Sequence, residues 1–242
     1  MTLVLSIGTM HPLNTAGVGR DIVVGAELGC TVAAAVAAVS AQDEGAVRAL
    51  EVLPGRLLRE QLECVAEVDA VRVGALGSAE NVAVVHEYLS TRSAAVVVDP
   101  VRRASTGEPL VDDAAWRRLC DGLANMPTVV LTPNLDEAAA LLGRTSLCAG
   151  EMEAAAAALR ARGSAAVLIK GGHLKGDPVD VLAGAAGVER FESTRIPAAM
   201  RGTGCTLAMA IACALGRGSS VRDAVLSARA YLRAKMLARA RE

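Results

Sequence analysis

The sequence of 242 residues is 52% hydrophobic but only 2% aromatic, and its net charge is −1. This length suits one large α/β domain, so we expect residues 1–242 to form a single domain with a core of Ala, Val and Leu. The nearly neutral charge gives no support for a surface that binds nucleic acid or an anionic membrane, and we predict neither partner.

Other features of the composition predict a cytoplasmic protein. No basic and then apolar leader precedes Leu3, and no apolar run reaches the roughly 20 residues of a membrane span. Six cysteines occur without a Cys-x-x-Cys pair, which fits neither a zinc ribbon nor a disulfide framework. We expect several of them to be buried thiols in a reducing compartment.

Short β-branched runs alternate with alanine-rich helical patterns along the chain. The predicted strands are Leu3–Ile7, Ala70–Val73, Ala95–Val98, Val129–Leu131, Ala166–Ile169 and Val179–Leu182. The predicted helices are Val18–Leu28, Pro54–Glu67, Ala79–Leu89, Asp113–Leu123, Asp136–Leu142, Met152–Arg162, Thr206–Leu215 and Val221–Arg241. Apolar strands between helices predict an α/β fold with a mostly parallel central sheet covered on both faces. Ligands of such sheets bind beyond the carboxyl ends of the strands.

The most informative motif is the glycine loop from Arg201 to Thr206, which opens directly into an apolar helical segment. A helix N-terminus presents free N–H groups and a partial positive charge, which suits a phosphate. Cys205 falls in the first turn, where a thiolate is stabilised, so we predict a lowered pKa for it. An anion cradle beside a base suggests phosphoryl transfer to an alcohol. The alternative is a connecting loop in which Cys205 is an apolar filler.

Two acidic residues are candidate metal ligands. Glu137 follows Asn134 by three residues at a predicted helix start. The pair could form a capping box, or Glu137 could order a magnesium-bound water, since Mg²⁺ keeps most of its waters. Asp99 directly follows an apolar strand and precedes a proline, so it is either a second metal candidate or a turn residue.

Two further residues could contact a substrate or a nucleotide. Lys170 leaves an apolar strand in Lys170-Gly171-Gly172-His173, where it is either a phosphate ligand or a solvated surface lysine. Gln42 ends an apolar segment that starts at Thr31. Its amide could bind the edge of a heteroaromatic ring through a donor and an acceptor, or it could be an ordinary loop residue.

Four motifs occur in an order that resembles the hydroxymethylpyrimidine/phosphomethylpyrimidine kinases of the ribokinase-like superfamily, which serve thiamine biosynthesis. They are Ser105-Thr106-Gly107-Glu108-Pro109-Leu110, Thr132-Pro133-Asn134-Leu135, Lys170-Gly171-Gly172-His173-Leu174 and Gly202-Thr203-Gly204-Cys205-Thr206-Leu207. The resemblance runs from about Leu3 to Tyr231. Its most specific element is Gly-Thr-Gly-Cys, because most ribokinase-like enzymes carry Asp at the last position.

The resemblance implies a homodimeric kinase that uses ATP and Mg²⁺ to phosphorylate hydroxymethylpyrimidine, its monophosphate, or both. Cys205 would be the base, beside an anion hole formed by the amides of Gly202, Thr203 and Gly204. The implied nucleotide and phosphate ligands are Lys170, Gly172, Asn134 and Thr132, and the implied metal ligands are Asp99 and Glu137. The implied pyrimidine pocket comprises Gly8, Asp21, Gln42, Ala75 and Val101.

The sequence departs from the family pattern mainly on the substrate side. Residues 10–15 replace an Asp and a glycine-rich run, and Arg72-Val73-Gly74-Ala75 replaces Lys-x-Gly-Met. Arg102 stands where an apolar residue is usual, and Ala199-Met200-Arg201 stands where the family has Asn-Thr-His. Two alternatives therefore stay open, a pyridoxal or pyridoxine kinase and a non-catalytic paralogue that binds a pyrimidine.

Overall fold

The computed structural model describes residues 1–43, 45–172 and 174–241. The strands are β1 (Leu3–Met10), β2 (Thr31–Gln42), β3 (Val47–Val52), β4 (Ala70–Val73), β5 (Ala95–Val98), β6 (Val129–Leu131), β7 (Ala166–Ile169), β8 (Val179–Gly184) and β9 (Gly187–Glu192). The helices are α1 (Gly17–Glu27), α2 (Gly55–Glu63), α3 (Ala79–Ser90), α4 (Asp113–Asp121), α5 (Leu135–Leu141), α6 (Met152–Arg160), α7 (Thr203–Gly216) and α8 (Val221–Arg239). His173, the last residue of the predicted Lys170–His173 motif, lies outside the described residues.

The described strands form one sheet in the order β3-β2-β1-β4-β5-β6-β7-β8-β9. Strands β2, β1, β4, β5, β6 and β7 pair in parallel, and β3, β8 and β9 add antiparallel edges. The parallel strands are mostly apolar because helices cover both faces of the sheet. Their carboxyl ends therefore meet along one edge of the sheet, as the sequence predicts.

Helices cover the sheet in two layers. Helices α2 to α6 pack on one face through a cluster that includes Leu58, Val85 and Met152. Helices α1, α7 and α8 pack on the other face, where α7 is buried through most of its length. No helix in the described part of the chain has the length and hydropathy needed to span a bilayer.

Three strands were not predicted from the sequence. β2 is built mainly from alanine, which has low β propensity, and it is a strand here because it pairs with both β1 and β3. β3 and β9 are short, mostly exposed edge strands that lack the apolar run of a central strand. Of the cysteines expected to include several buried thiols, Cys30 and Cys213 are buried, and Cys64 and Cys148 are exposed.

Candidate active site

A cavity of about 790 Å³ opens where β1, β4, β5 and β7 end. Most of the residues that the sequence singles out lie on its wall, which places them within reach of one ligand. They are Gln42, Ala75, Asp99, Val101, Asn134, Glu137, Lys170, Gly172, Gly202, Thr203, Gly204 and Cys205.

The N-terminus of α7 forms one wall of this cavity. Gly202 precedes the helix in the left-handed conformation, with a φ of 70°. A Cβ at this position would lie 2.1 Å from the carbonyl oxygen of Thr15, so the turn has room only for glycine. The first N–H groups of a helix have no intrahelical acceptor. A Cβ on Gly204 would lie 3.2 Å from Lys170 Nζ, so these amides and the ammonium group lie close together.

Cys205 occupies the first turn of α7 and lines the cavity. The backbone N–H of Gly17 donates a hydrogen bond to its sulfur, at 3.4 Å. Burial nevertheless raises the pKa of the Cys205 thiol, and the positive charge of Arg72 offsets only part of that effect. The predicted lowering of this pKa is therefore wrong, because loss of water outweighs the helix N-terminus and the nearby cation.

An arginine inside the fold holds several of these groups together. Arg72 lies on β4 and is 1% exposed. Its Nη1 is 3.1 Å from Asp21 Oδ2, and its Nη2 is 3.0 Å from Asp99 Oδ2. The positive charge of Arg72 also acts on Cys205, and a Cβ on Gly74 would lie 2.2 Å from Nη1. The absence of a side chain at position 74 thus leaves space for the guanidinium.

Lys170 and Asp99 form the next ion pair, with 2.7 Å between Nζ and Oδ1. Burial disfavours the charged forms of both groups. The charges of Lys170 and Arg72 outweigh burial at Asp99 and hold its pKa below the ordinary value. The charges of Asp99 and Glu137 likewise raise the pKa of Lys170. Both side chains are therefore ionised in the cavity wall.

Asn134 and Glu137 form the capping box that was one of the two interpretations of this motif. Asn134 Oδ1 accepts the backbone N–H of Glu137, and Glu137 Oε2 accepts the backbone N–H of Asn134, both at 2.8 Å. Burial raises the pKa of Glu137 to about 7, against the opposing charge of Lys170. Glu137 therefore caps its helix, and its place in the cavity wall is also compatible with a role in ordering a magnesium-bound water.

The donor set fits Mg²⁺ only in part. No group of three His, Cys, Asp or Glu that could hold a metal occurs among the described residues. Both oxygens of Asp99 are taken by cations, one by Arg72 and one by Lys170. Asp99 therefore serves two cations in this arrangement, and its role as a metal ligand stays a prediction. Glu137 remains, and one carboxylate with water and nucleotide phosphate is a usual magnesium set.

The part of the cavity wall that adjoins Gln42 and Val101 along the chain carries positive charge. We call the surface formed by Arg102, Arg103 and Arg201 the arginine rim. Arg201 Nη1 donates to the carbonyl oxygen of Asp43 at 2.6 Å, and its Nη2 donates to Ser105 Oγ at 3.1 Å. Arg201 therefore links three segments around the cavity.

His11 also lines this end of the cavity and is 3% exposed. Its Nε2 accepts the backbone N–H of Ala16 at 3.0 Å, which assigns the proton of the neutral ring to Nδ1. Nδ1 is buried and has no hydrogen-bond partner in the described part of the chain. Burial lowers the pKa of His11, so the ring is neutral near pH 7.

A family model described as phosphomethylpyrimidine kinase matches residues 12–241. The chain belongs to the phosphomethylpyrimidine kinase family. It is 38% identical to the hydroxymethylpyrimidine/phosphomethylpyrimidine kinase of Streptomyces coelicolor, over 95% of this chain and 87% of that protein. The recognition of this family from sequence motifs is confirmed, and so is the assignment of a phosphotransferase.

Solved structures confirm the fold of this kinase. The phosphomethylpyrimidine kinase of Clostridium difficile 630 superposes with a TM-score of 0.85 at 27% identity, over 97% of this chain and 99% of that one. The pyridoxal kinase of Staphylococcus aureus, in complex with pyridoxal, superposes with a TM-score of 0.88 at 27% identity. That match covers 98% of this chain and 88% of the other. The predicted ribokinase-like α/β class is therefore correct.

Three predicted site residues of the kinase do not line the cavity. Asp21 is fully buried, accepts a hydrogen bond from Ser6 Oγ at 2.6 Å, and contacts Arg72 instead. Gly8 lies within β1, where its pairing with β2 and the neighbouring Gly74 encloses it. The Thr132 hydroxyl is buried and donates to the carbonyl oxygen of Val98 at 3.4 Å. Each supports the wall from behind and does not face a ligand.

Two ion-paired residues of the kinase were missed. In the sequence, Arg72 stands out only as a departure from the family pattern, and Asp180 is not among the predicted site residues. Asp180 accepts the backbone N–H of Gly171 at 2.9 Å and pairs with Arg229 at 3.0 Å, which ties the loop after β7 to α8. A signal was present in both cases, since each is a charged residue inside an otherwise apolar strand.

Proposed function

We propose that this chain transfers the γ-phosphoryl group of ATP to a hydroxymethylpyrimidine, as the alcohol or as its monophosphate, in thiamine biosynthesis. The observation that carries the proposal is the meeting of Cys205, Lys170 and the N-terminus of α7 at one end of the cavity. Phosphoryl transfer needs alignment and neutralisation of charge more than covalent chemistry, and this arrangement supplies both.

The residues divide into a phosphate side and a pyrimidine side. On the phosphate side, the free amides of Thr203 and Gly204 and the ammonium of Lys170 stabilise charge on the transferred group. Arg72 stabilises the thiolate form of Cys205, which takes the proton of a hydroxymethyl nucleophile and becomes a thiol. On the pyrimidine side, Gln42 binds the ring edge.

Glu137 is the residue we propose to hold magnesium. A bound Mg²⁺ would neutralise phosphate charge, and Glu137 would hold it through its carboxylate or a water molecule. Asp99 pairs with two cations, which supports a role in keeping Lys170 and Arg72 in place.

We also propose that residues 1–242 act as one domain in a cytoplasmic homodimer without a nucleic-acid or membrane partner. Support for the dimer comes from the resemblance to pyrimidine kinases, and support for the absence of those partners comes from the net charge of −1.

The decisive test is turnover of hydroxymethylpyrimidine with ATP and Mg²⁺, followed by mass spectrometry of the product. The wild type should form the phosphorylated pyrimidine, and Cys205→Ala should lose roughly 10²-fold or more in kcat, as expected for removal of a general base. Cys64→Ala is the matched control, because Cys64 is exposed and does not line the cavity. Folded wild-type protein that forms no phosphorylated pyrimidine would refute the proposal.

A pyridoxal kinase is the second candidate. The structural match to the Staphylococcus aureus pyridoxal kinase favours it, and so does Ala75, since the small side chain leaves room for a bulkier ring. Parallel measurements of kcat/KM for pyridoxal and the pyrimidine separate the two candidates. Ligand binding without turnover of either would indicate the non-catalytic alternative.

A further inference from the structure

The cavity is much more positive than the chain as a whole. Among the described residues, eight Arg or Lys side chains and four Asp or Glu side chains line it, although the net charge of the sequence is −1. Positive charge concentrated in a cleft raises the local concentration of anions. The distribution of this charge within the cavity indicates which ligand it serves.

Part of the positive charge is already neutralised by the fold. Arg72 pairs with Asp21 and Asp99, and Lys170 pairs with Asp99. Arg229, at the end of the cavity formed by α8, pairs with Asp180. These side chains therefore offer a ligand less than a full positive charge each.

The remaining cations in the cavity wall are different: the side chains of Arg195 and Arg233 donate to backbone carbonyl oxygens, and the arginine rim has similar partners. Arg201 donates to a backbone carbonyl and a hydroxyl, and Arg103 donates to the carbonyl oxygen of Gly107 at 2.8 Å. Within the described ranges neither forms an ion pair with a carboxylate. Arg102 shares its charge with Asp113 at 3.3 Å, and that carboxylate is 78% exposed. The rim thus keeps most of its positive charge available to a ligand.

The pKa of His11 also indicates positive electrostatic potential in this part of the cavity. The charges of Arg201 and Arg20 add to burial in lowering its pKa, so positive potential extends into this part of the cavity. The neutral imidazole brings no negative charge to compensate the rim. A neutral hydroxymethyl compound would also leave this charge without a counter-ion.

The chemistry at Cys205 gives a second, independent argument. A hydroxymethyl group must lose a proton to become a nucleophile, whereas a phosphomonoester carries roughly −1.5 to −2 charge at pH 7 and needs no base. Burial raises the pKa of the Cys205 thiol, so the sulfur stays protonated near neutral pH and cannot accept a proton from an alcohol. The site is therefore better equipped for a nucleophile that is already ionised.

We propose that this chain prefers the phosphomonoester of the hydroxymethylpyrimidine to the neutral alcohol, and that Arg201 is the residue that discriminates between them. This inference rests on the proposed function. An anionic oxygen of the monoester attacks the γ-phosphorus of ATP and forms a new P–O bond. The bond from the γ-phosphorus to the β–γ bridging oxygen breaks, and ADP leaves with that oxygen. No proton is removed from the nucleophile.

The position of Arg201 suits this role. It immediately precedes Gly202, so its backbone leads directly into the N-terminus of α7. Its hydrogen bonds to Asp43 and Ser105 hold the side chain over the cavity. A guanidinium held in this way loses little side-chain entropy when it binds an anion.

The test compares kcat/KM for the alcohol and for its monophosphate, with saturating ATP and Mg²⁺, in the wild type, Arg201→Gln, Arg201→Lys and Arg56→Gln. The wild type should favour the monophosphate by ~10-fold or more. Arg201→Gln should reduce the monophosphate-to-alcohol ratio by roughly 10- to 100-fold, mainly through KM, as expected for loss of a hydrogen bond to a charged group. Arg201→Lys should restore part of the ratio. Arg56, exposed on α2 and outside the cavity, is the matched control.

Calorimetric titration of each pyrimidine without nucleotide separates this inference from the proposed function. If neither compound is phosphorylated, the proposed function fails, and tighter binding of the monophosphate that weakens in Arg201→Gln still supports the inference. Equal or tighter binding of the alcohol would overturn it. So would equal kcat/KM for the two compounds, or an Arg201→Gln variant that reduces both to the same extent.

Discussion

Arg72 and Asp99 form an ion pair in the wall of the cavity, with 3.0 Å between Nη2 and Oδ2, and both side chains are at most 2% exposed. Asp21 holds the other side of the same guanidinium. The pair connects a buried strand position to Lys170 and Cys205, which are the groups we assign to phosphoryl transfer. Its contribution to stability is therefore tied to the geometry of the site.

Arg72→Met should lower the free energy of unfolding by about 3–5 kcal/mol, because it leaves the buried Asp21 without its counter-ion and Asp99 with Lys170 alone. Urea denaturation measures the loss. Arg56→Met is the control, since Arg56 and Glu60 form an exposed pair that contributes ~1 kcal/mol or less. Equal losses of unfolding free energy in the two variants would show that the buried ion pair stabilises the fold no more than the exposed one.

Glu137 should make stability depend on pH. Its pKa is about 7 in the fold and 4.5 for an ordinary glutamate, so the folded state keeps a proton that the unfolded chain releases. This stabilisation is complete below pH 4.5 and is lost as the pH rises to about 7. Glu137→Gln keeps a side-chain oxygen for the cap and stays neutral, so its unfolding free energy should fall less across this range.

Asp21 contributes with the same sign, because burial raises its pKa to about 6. The dependence of the unfolding free energy on pH should therefore be weaker in Glu137→Gln but still present, because Asp21 contributes to it. Glu60→Gln, on the exposed side of α2, serves as the control and should follow the wild-type curve. A Glu137→Gln curve parallel to the wild type would contradict the raised pKa.

Gly202→Ala should lower the free energy of unfolding by more than the strain of a left-handed backbone alone. A Cβ there meets the carbonyl oxygen of Thr15 at 2.1 Å, in addition to the strain of φ 70°. Gly218→Ala is the matched control, since its φ is 85° but no atom lies within 4 Å of the new Cβ. We expect a loss of roughly 1–2 kcal/mol at position 218 and a larger one at 202, with reduced kcat only at 202. Chemical denaturation and steady-state kinetics measure the two effects.

Cys205 should react slowly with iodoacetamide at pH 7, because only the thiolate reacts and burial raises its pKa. Cys64 and Cys148 are exposed and should be modified first. Peptide mass spectrometry over a pH series gives the rate at each site. Faster labelling of Cys205 than of both exposed cysteines at neutral pH would contradict the assignment.

The central strands and most helices are predictable from the sequence because local pattern and burial agree there. Ala95–Val98, Val129–Leu131 and Ala166–Ile169 are continuous apolar runs, and each is a strand with the predicted bounds. β2 was not predicted, because an alanine-rich segment becomes a strand only through its neighbours. That information lies in tertiary structure.

The candidate site divides in the same way. The capping box of Asn134 and Glu137 is local, and the sequence contains its whole signal. The ion network of Arg72 joins residues far apart along the chain, so its burial and partners could not be derived from spacing. The raised pKa of Cys205 likewise depends on how deeply the folded chain encloses the sulfur.

Gly74 and Arg72 cannot be exchanged independently of each other. Any side chain at position 74 would begin 2.2 Å from Nη1 of the guanidinium, so the arginine would have to be shortened or expelled first. Changing the arginine first would leave the buried Asp21 without its counter-ion and Asp99 with Lys170 alone. Redesign of this part of the wall must therefore change Arg72 and Gly74 together. It must also replace their acidic partners, Asp21 on α1 and Asp99 after β5.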